Sequence, residues 1–262
     1  MNSEPKHVLI TGSAGAVGRA AAKALLARGH RVRGFDRVPG AVQGEGVVGN
    51  MTELDALVGA SGGVDAIIHL AATPDDDDFP SQLLPNNILG LYNVLEAARL
   101  CRVPRVILAS TGQVNWIQLH AGPWPVRVTD RIQPRYWYAA TKVFAEAAGH
   151  AYATNHSIDV LAVRLGSVPR SLGQVTEISG SELSQDVYLS PRDAGRFFIA
   201  AIEARAGFGF EVVFATSQPV KSWRFDPEPA RRLLGYEPQD RWPDGLEEEH
   251  RRFAAGLTVP GS

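Results

Sequence analysis

Apolar residues along the chain fall into short continuous runs, separated by longer stretches in which they recur every three or four positions. The first pattern is that of a strand covered on both faces, the second that of an amphipathic helix. His7 to Thr11 is the first run and ends at Gly12; Ala20, Ala24 and Leu25 then repeat at helical spacing up to the stop signal Arg28-Gly29-His30. A strand at Arg31 to Asp36, a short one near Gly46 to Gly49 and a helix from Thr52, capped by that threonine, are expected next. Val64 to Leu70 reads as another strand. The segment from about Leu84 to Cys101 puts Leu91, Val94, Leu95 and Ala98 on one helical face, and Val103 to Ala109 makes the strand after it. A helix from about Pro134 to Asn155 and a strand at Ile158 to Leu165 continue the alternation, which predicts an α/β fold with a doubly wound parallel sheet. After Pro169 the pattern breaks into a Gly/Ser/Glu-rich stretch to Gln185, a helix from Pro191 to about Ala206, a strand at Phe208 to Ala215 and a helical turn at Pro227 to Leu234.

Composition narrows the function classes. With 45% apolar and 21% charged residues in 262, the chain reads as an ordinary globular protein. Its formal charge, 26 − 28 = −2, gives no basic face for nucleic acid or an anionic membrane. Asp75 to Asp78 read as a solvated loop, because consecutive carboxylates cannot all turn toward one ion. The single cysteine, Cys101, excludes an internal disulfide and a Cys-rich zinc site and is expected inside a helix. His69 and His120 lack partner ligands at usable spacing, so no metal is expected. Met1 to His7 is polar and the apolar run after it is short, which predicts no signal peptide, no membrane span and a cytoplasmic location.

Thr11-Gly12-Ser13-Ala14-Gly15-Ala16-Val17-Gly18 is a Gly-x-x-Gly-x-x-Gly turn between the first strand and the first helix. Glycine there permits a sharp turn, close approach of a pyrophosphate to the backbone and tight packing of helix on strand. The helix N-terminus adds unpaired amide donors and a partial positive charge. Asp36 ends the second strand, where an acid accepts from the adenosine ribose hydroxyls and repels a 2′-phosphate; this favours NAD over NADP. Arg37 next to it either contacts a phosphate, stacks on adenine or faces solvent.

Tyr138 and Lys142 stand four apart in a predicted helix, so both side chains lie on one face within reach of one site. A phenol must be made more acidic to act as a base at neutral pH, and a neighbouring ammonium and a cationic nicotinamide both favour the phenolate. The strand ending at Ala109 delivers Ser110 and Thr111 to the carboxyl edge of the sheet, either to hold a substrate oxygen or to cap the strand end.

Together these residues resemble the extended short-chain dehydrogenase/reductase superfamily, the NAD-dependent epimerase/dehydratase type, and most of all its uronate dehydrogenase branch. The resemblance runs over about residues 6–242 and includes His69-Leu70-Ala71-Ala72, Asn87-Ile88-Leu89-Gly90 with Asn93, Arg164-Leu165-Gly166-Ser167, and Ser222-Trp223 through Leu234-Gly235-Tyr236-Glu237-Pro238. It implies a Rossmann-type fold with an NAD-binding part at 1–165 and a small substrate-binding region at 166–262 packed on the same body. It implies hydride transfer to or from NAD, with Tyr138 as acid/base, Lys142 as its electrostatic partner and ribose ligand, and Thr111 polarising the reacting oxygen. The cofactor contacts implied are Gly12, Ala14 to Gly18, Asp36, Arg37, Asn50, Met51, Leu70, Ala71, Ala72, Asn87, Ser110, Tyr138 and Lys142. The substrate contacts implied are Thr73, Thr111, Gly112, Gln113, Ser167 and Arg170.

Departures fall at the substrate end. Gly112-Gln113 stand where the branch has Asn-His, and Arg170 either recognises a substrate carboxylate or is a solvated loop residue. Trp116, His120, Trp124, Tyr136 and Trp137 suit either the apolar face of a sugar or a packed lid. The expected reaction is oxidation of a small polar alcohol or carbonyl, such as a uronic acid or aldose, to a lactone. A sugar epimerase that reduces its own intermediate and a non-catalytic NAD sensor are the rival readings. About 95 residues follow Leu165, short for gripping a nucleotide-sugar, which favours a small free substrate. A homodimer through the helices carrying Leu91/Val94/Leu95 and Phe144/Ala148 is expected.

Overall fold

In a computed structural model of the chain, residues 4–39, 42 and 45–257 are described. Met1 to Ser3, on which the signal-peptide expectation bears, and the end of the C-terminal region, 258–262, lie outside them. The chain runs through β1 (His7–Thr11), α1 (Ala16–Arg28), β2 (Arg31–Asp36), β3 (Glu45–Val48), α2 (Leu54–Ser61) and β4 (Ala66–His69). A π-helical segment, Phe79–Leu89, leads into α3 (Gly90–Leu100), β5 (Arg105–Thr111), a tight turn (Gly112–Asn115), α4 (Trp116–Ala121), α5 (Trp137–His156) and β6 (Asp159–Leu165). The last third adds α6 (Leu172–Ser179), α7 (Glu182–Asp186), α8 (Pro191–Glu203), β7 (Phe210–Ala215), α9 (Glu228–Leu234) and α10 (Glu248–Leu257).

The strands form one seven-stranded sheet in the order β3-β2-β1-β4-β5-β6-β7, every neighbouring pair parallel. Winding reverses between β1 and β4, so a crevice opens at the carboxyl edge there, which is where ligands bind in such sheets. Each strand sends alternate side chains to opposite faces. Val8, Ile10, Ile68 and Ile107 pack with Leu25 of α1 and with Phe197 and Phe198 of α8. Leu9, Ile67, Val106 and Leu108 pack with Leu57, Leu91, Val94, Leu95 and Ala145 of α2, α3 and α5 on the other face. Each such buried Leu or Ile contributes about 1.5–3 kcal/mol. Among the described residues no helix is long and apolar enough to cross a membrane.

Four local expectations need correction. Thr52 caps nothing: its N–H donates to Asn50 Oδ1 at 3.1 Å, and α2 starts at Leu54. The helix expected from Leu84 begins earlier, at Phe79, because Asp78 Oδ1 caps it by accepting from Ser81 N at 3.0 Å, and Pro85 sits inside this wide segment. The polar stretch before Gln185 holds α6 and α7, started by the hydroxyls of Ser171 and Ser181. Cys101 is only half-buried, just past the end of α3, with its thiol directed at the Val58 carbonyl at 3.4 Å.

Candidate active site

Gly15 stands at the N-cap of α1 with no side-chain cap and no acid in the first turn, so the helix's amides and positive end are left to a ligand. Gly12 has φ 73°, and a Cβ there would stand 2.6 Å from Ala71 N. A Cβ on Gly18 would lie 2.2 Å from the Gly12 carbonyl oxygen, so α1 packs on the turn only with glycine. At Gly15 a Cβ would meet just the Gly12 oxygen at 3.3 Å, so packing within the chain demands little there. Its bare α-carbon borders a cavity of about 530 Å³ at the carboxyl edge of the sheet. The donor set and the cradle fit a dinucleotide. Asp36 Oδ2 accepts from Ala14 N at 2.9 Å, so the acid at the end of β2 also braces the turn. Asn93 Nδ2 donates to the Met51 carbonyl at 3.0 Å, holding the segment that carries Asn50.

Tyr138, Lys142 and Thr111 border the same cavity. Lys142 is buried, with Nζ 5.6 Å from the Tyr138 ring centre. Burial pushes the Tyr138 phenol up to about 12; Asp75 adds to the rise and Arg170 opposes it. The expected lowering by Lys142 is not realised by the protein alone, because burial also pushes the lysine down to about 8. His69, fully buried beside Lys142, is pushed down to about 3 by burial and then by the lysine, so it stays neutral; its Nδ1 lies 2.8 Å from Thr11 Oγ1. α5 lacks a cap of its own, and Asp76 supplies one by accepting from Tyr138 N at 3.0 Å. The acidic run is therefore more than a solvated loop.

Several expected contacts have other work. Ser110 edges the cavity, but its hydroxyl donates to Glu146 Oε1 at 2.6 Å. Glu146 is bound by Arg164 at 2.9 and 2.8 Å, and Arg164 donates to Asn115 Oδ1 at 2.9 Å. Asn87 does not border the cavity: it accepts from Thr73 N at 2.8 Å and donates to Thr141 Oγ1 at 3.1 Å, tying the loop after β4 to α5. Its neighbour Asn86 faces the cavity instead. Thr73 and Ala14 are likewise off the cavity wall, the first bonded to Asn86 Nδ2 at 2.8 Å. Gly112 is fixed by Phe225, whose ring would be 2.3 Å from a Cβ there. Gln113, Ser167 and Arg170 border the cavity, as do Asp36, Arg37, Asn50, Met51 and Leu70 to Ala72. The aromatic segment packs largely on itself: Trp116 stacks on His120 at 4.0 Å, and its ring meets Tyr136 edge-on at 5.2 Å. Of that segment only Leu119 reaches the cavity. Asp75, Asn86, Gln174 and Phe225 were missed; the last two reach the site from segments whose sequence patterns carry no register to the sheet.

Residues 8–169 match the NAD dependent epimerase/dehydratase family. The chain is 33% identical over 220 residues to an L-arabinose 1-dehydrogenase (NAD(P)(+)) of Haloferax volcanii, covering 76% of this chain and 83% of that one. It is 29% identical to an NAD-dependent glucose-6-phosphate dehydrogenase of the same organism, covering 89% and 93%. The crystal structure of uronate dehydrogenase from Agrobacterium tumefaciens superposes with TM-score 0.75 at 26% identity, covering 100% of this chain and 92% of that one.

Proposed function

Because the chain belongs to the NAD dependent epimerase/dehydratase family, we propose that it is an NAD-dependent dehydrogenase that oxidises a small sugar at its anomeric carbon to a lactone. The observation that carries this reading is one cavity bordered both by the glycine turn and by Tyr138, Lys142 and Thr111. The names of its relatives supply the sugar and, in the arabinose enzyme, the position oxidised.

In this reading the amides of Gly15 to Gly18 hold the pyrophosphate, Asp36 the adenosine ribose, and Asn50 and Met51 the adenine, while Lys142 bonds the second ribose. Asp36 selects NAD over NADP by repelling a 2′-phosphate. Bound NAD supplies the acceptor for a hydride leaving the anomeric carbon, so that sugar and NAD become lactone and NADH. Tyr138 takes the proton from the anomeric hydroxyl, and Thr111 holds that oxygen. Lowering the phenol from about 12 requires added positive charge beside it, at about 1.4 kcal/mol for each tenfold. Arg170 already supplies some of that charge, and Lys142 together with a bound nicotinamide cation would supply the rest. Of the chain after Leu165, the segment from Gly166 to Val187 and Phe225 form the substrate wall, while α8 and β7 complete the sheet and its core. Leu91, Val94 and Leu95, expected at a dimer face, are core residues instead; the exposed Leu89, Tyr92, Leu100 and Phe144 on and beside α3 and α5 support a homodimer, which we place in the cytoplasm.

The test is NADH production at alkaline pH from a panel of aldoses, uronic acids and small alcohols. Net NADH accumulation supports the dehydrogenase. Interconversion of sugar epimers without NADH, or NAD binding without turnover of any substrate, overturns it.

A further inference from the structure

The relatives act, by name, on neutral, phosphorylated and carboxylated sugars, and the cavity itself distinguishes among these. Arg170, from the segment after β6, forms an ion pair through Nη2 with Asp75 Oδ2 from the loop after β4. Both side chains border the cavity that holds Tyr138 and Thr111. Both also act electrically on the Tyr138 phenol, Asp75 raising it and Arg170 lowering it, so the pair belongs to the reacting end of the cavity. It is held from behind. Asp75 occupies the left-handed region at φ 62°, which Asp tolerates better than most L residues. Its neighbour Asp76 is bonded to Tyr138 N at 3.0 Å, and Arg170 N donates to Gln174 Oε1 at 2.7 Å.

Charge settles what can sit beside this pair. Among the described residues, the cations on the cavity wall are Arg37, Lys142 and Arg170. Arg37 follows Asp36 at the end of β2, and Lys142 is buried next to the phenol, which leaves Arg170 to meet an anionic substituent. Arg170 is already neutralised by Asp75. A sugar carboxylate or phosphate would have to displace Asp75 from Arg170 and then sit near its carboxylate, a like-charge contact that disfavours the anionic substrate even at this solvent-exposed pair. Adjacent hydroxyls of a neutral sugar meet no such barrier: one donates to the carboxylate, the next accepts from the guanidinium, and the ion pair survives. Gln113, Gln174 and Ser167 add neutral partners around it.

We propose that the Asp75–Arg170 pair is a selectivity element that commits the site to neutral aldoses with adjacent hydroxyls, and against uronates and sugar phosphates. This rests on the dehydrogenase reading above. Initial rates of NADH formation are measured for the wild type, Asp75→Asn and Arg170→Gln with neutral pentoses and hexoses, glucuronate, galacturonate and glucose 6-phosphate. NAD affinity and Tm are recorded for each to confirm folding. The wild type is expected to show a kcat/KM for its best neutral aldose about tenfold or more above that for any anionic sugar. Asp75→Asn releases Arg170 and raises the uronate-to-aldose ratio about tenfold, mainly through KM; Arg170→Gln weakens aldose binding without that gain. The ratio is the readout because any effect of Asp75 on Tyr138 acts on both sugars alike. A wild type that prefers a uronate or sugar phosphate, or an Asp75→Asn variant with an unchanged ratio, overturns the proposal and leaves the dehydrogenase standing. NAD binding with no NADH from any sugar overturns both.

Discussion

The Glu146 carboxylate on α5 receives two hydrogen bonds from the Arg164 guanidinium on β6, at 2.9 and 2.8 Å, with both side chains buried. Glu146 lies one helical turn beyond Lys142 and also accepts the Ser110 hydroxyl at 2.6 Å, so the pair fastens the face of α5 that bears Tyr138 to the ends of β5 and β6. Removing one partner leaves an unpaired buried charge. Arg164→Met is expected to cost about 3–5 kcal/mol in denaturant unfolding, and the double variant with Glu146→Leu to recover much of it. A single variant as stable as the wild type contradicts this.

Tyr138→Phe is expected to lower kcat about 10²- to 10⁴-fold while NAD affinity, measured by fluorescence titration, stays nearly unchanged. The hydroxyl is lost without altering the ring that borders the cavity. Wild-type turnover in this variant removes Tyr138 from the mechanism.

Sugar oxidation is expected to rise with pH, because the Tyr138 phenol must lose its proton and burial holds it near 12 in the protein alone. Lys142→Met deletes the nearby ammonium and should move that rise to still higher pH, with kcat falling at neutral pH. A pH–rate profile that keeps its midpoint argues against Lys142 as the electrostatic partner.

His69 titrates at about 3 in the folded chain against an ordinary histidine value of 6.5, so the unfolded chain binds the extra proton between those limits. Its contribution to stability is complete above about 6.5 and is lost as pH falls toward 3. His69→Asn should flatten the drop in unfolding free energy between pH 7 and pH 5 relative to the wild type. Parallel curves for the two proteins refute it.

Gly18→Ala is expected to lower both Tm and NAD affinity, because its Cβ would fall 2.2 Å from the Gly12 carbonyl oxygen and α1 would have to move off the turn. Calorimetry and cofactor titration check it; an alanine variant equal to the wild type in both shows that α1 can shift freely.

Local and periodic features were legible in the chain. β1 and β2 lie where their apolar runs predict, the glycine turn joins β1 to α1, and the four-residue spacing of Tyr138 and Lys142 puts both at one cavity. Each of these follows from a period of two or 3.6 residues or from the φ freedom of glycine, which any isolated stretch carries. Caps drawn from distant sequence were not legible: α5 starts where Asp76 accepts from Tyr138 N, a partner 62 residues away.

The sequence by itself determined a parallel α/β sheet with a dinucleotide turn and a Tyr/Lys pair, because short-range periodicity and side-chain chemistry suffice for them. Only the tertiary structure decided what each polar group is spent on. Ser110 and Asn87 read as ligand contacts, yet one hydroxyl is bound by Glu146 and one amide by Thr73 and Thr141. Asp75 and Arg170 read as solvated loop residues or a free anion receptor, yet they neutralise each other across the cavity. A side chain's charge is written in the chain, but whether that charge is free depends on the partner that folding brings beside it from 95 residues away.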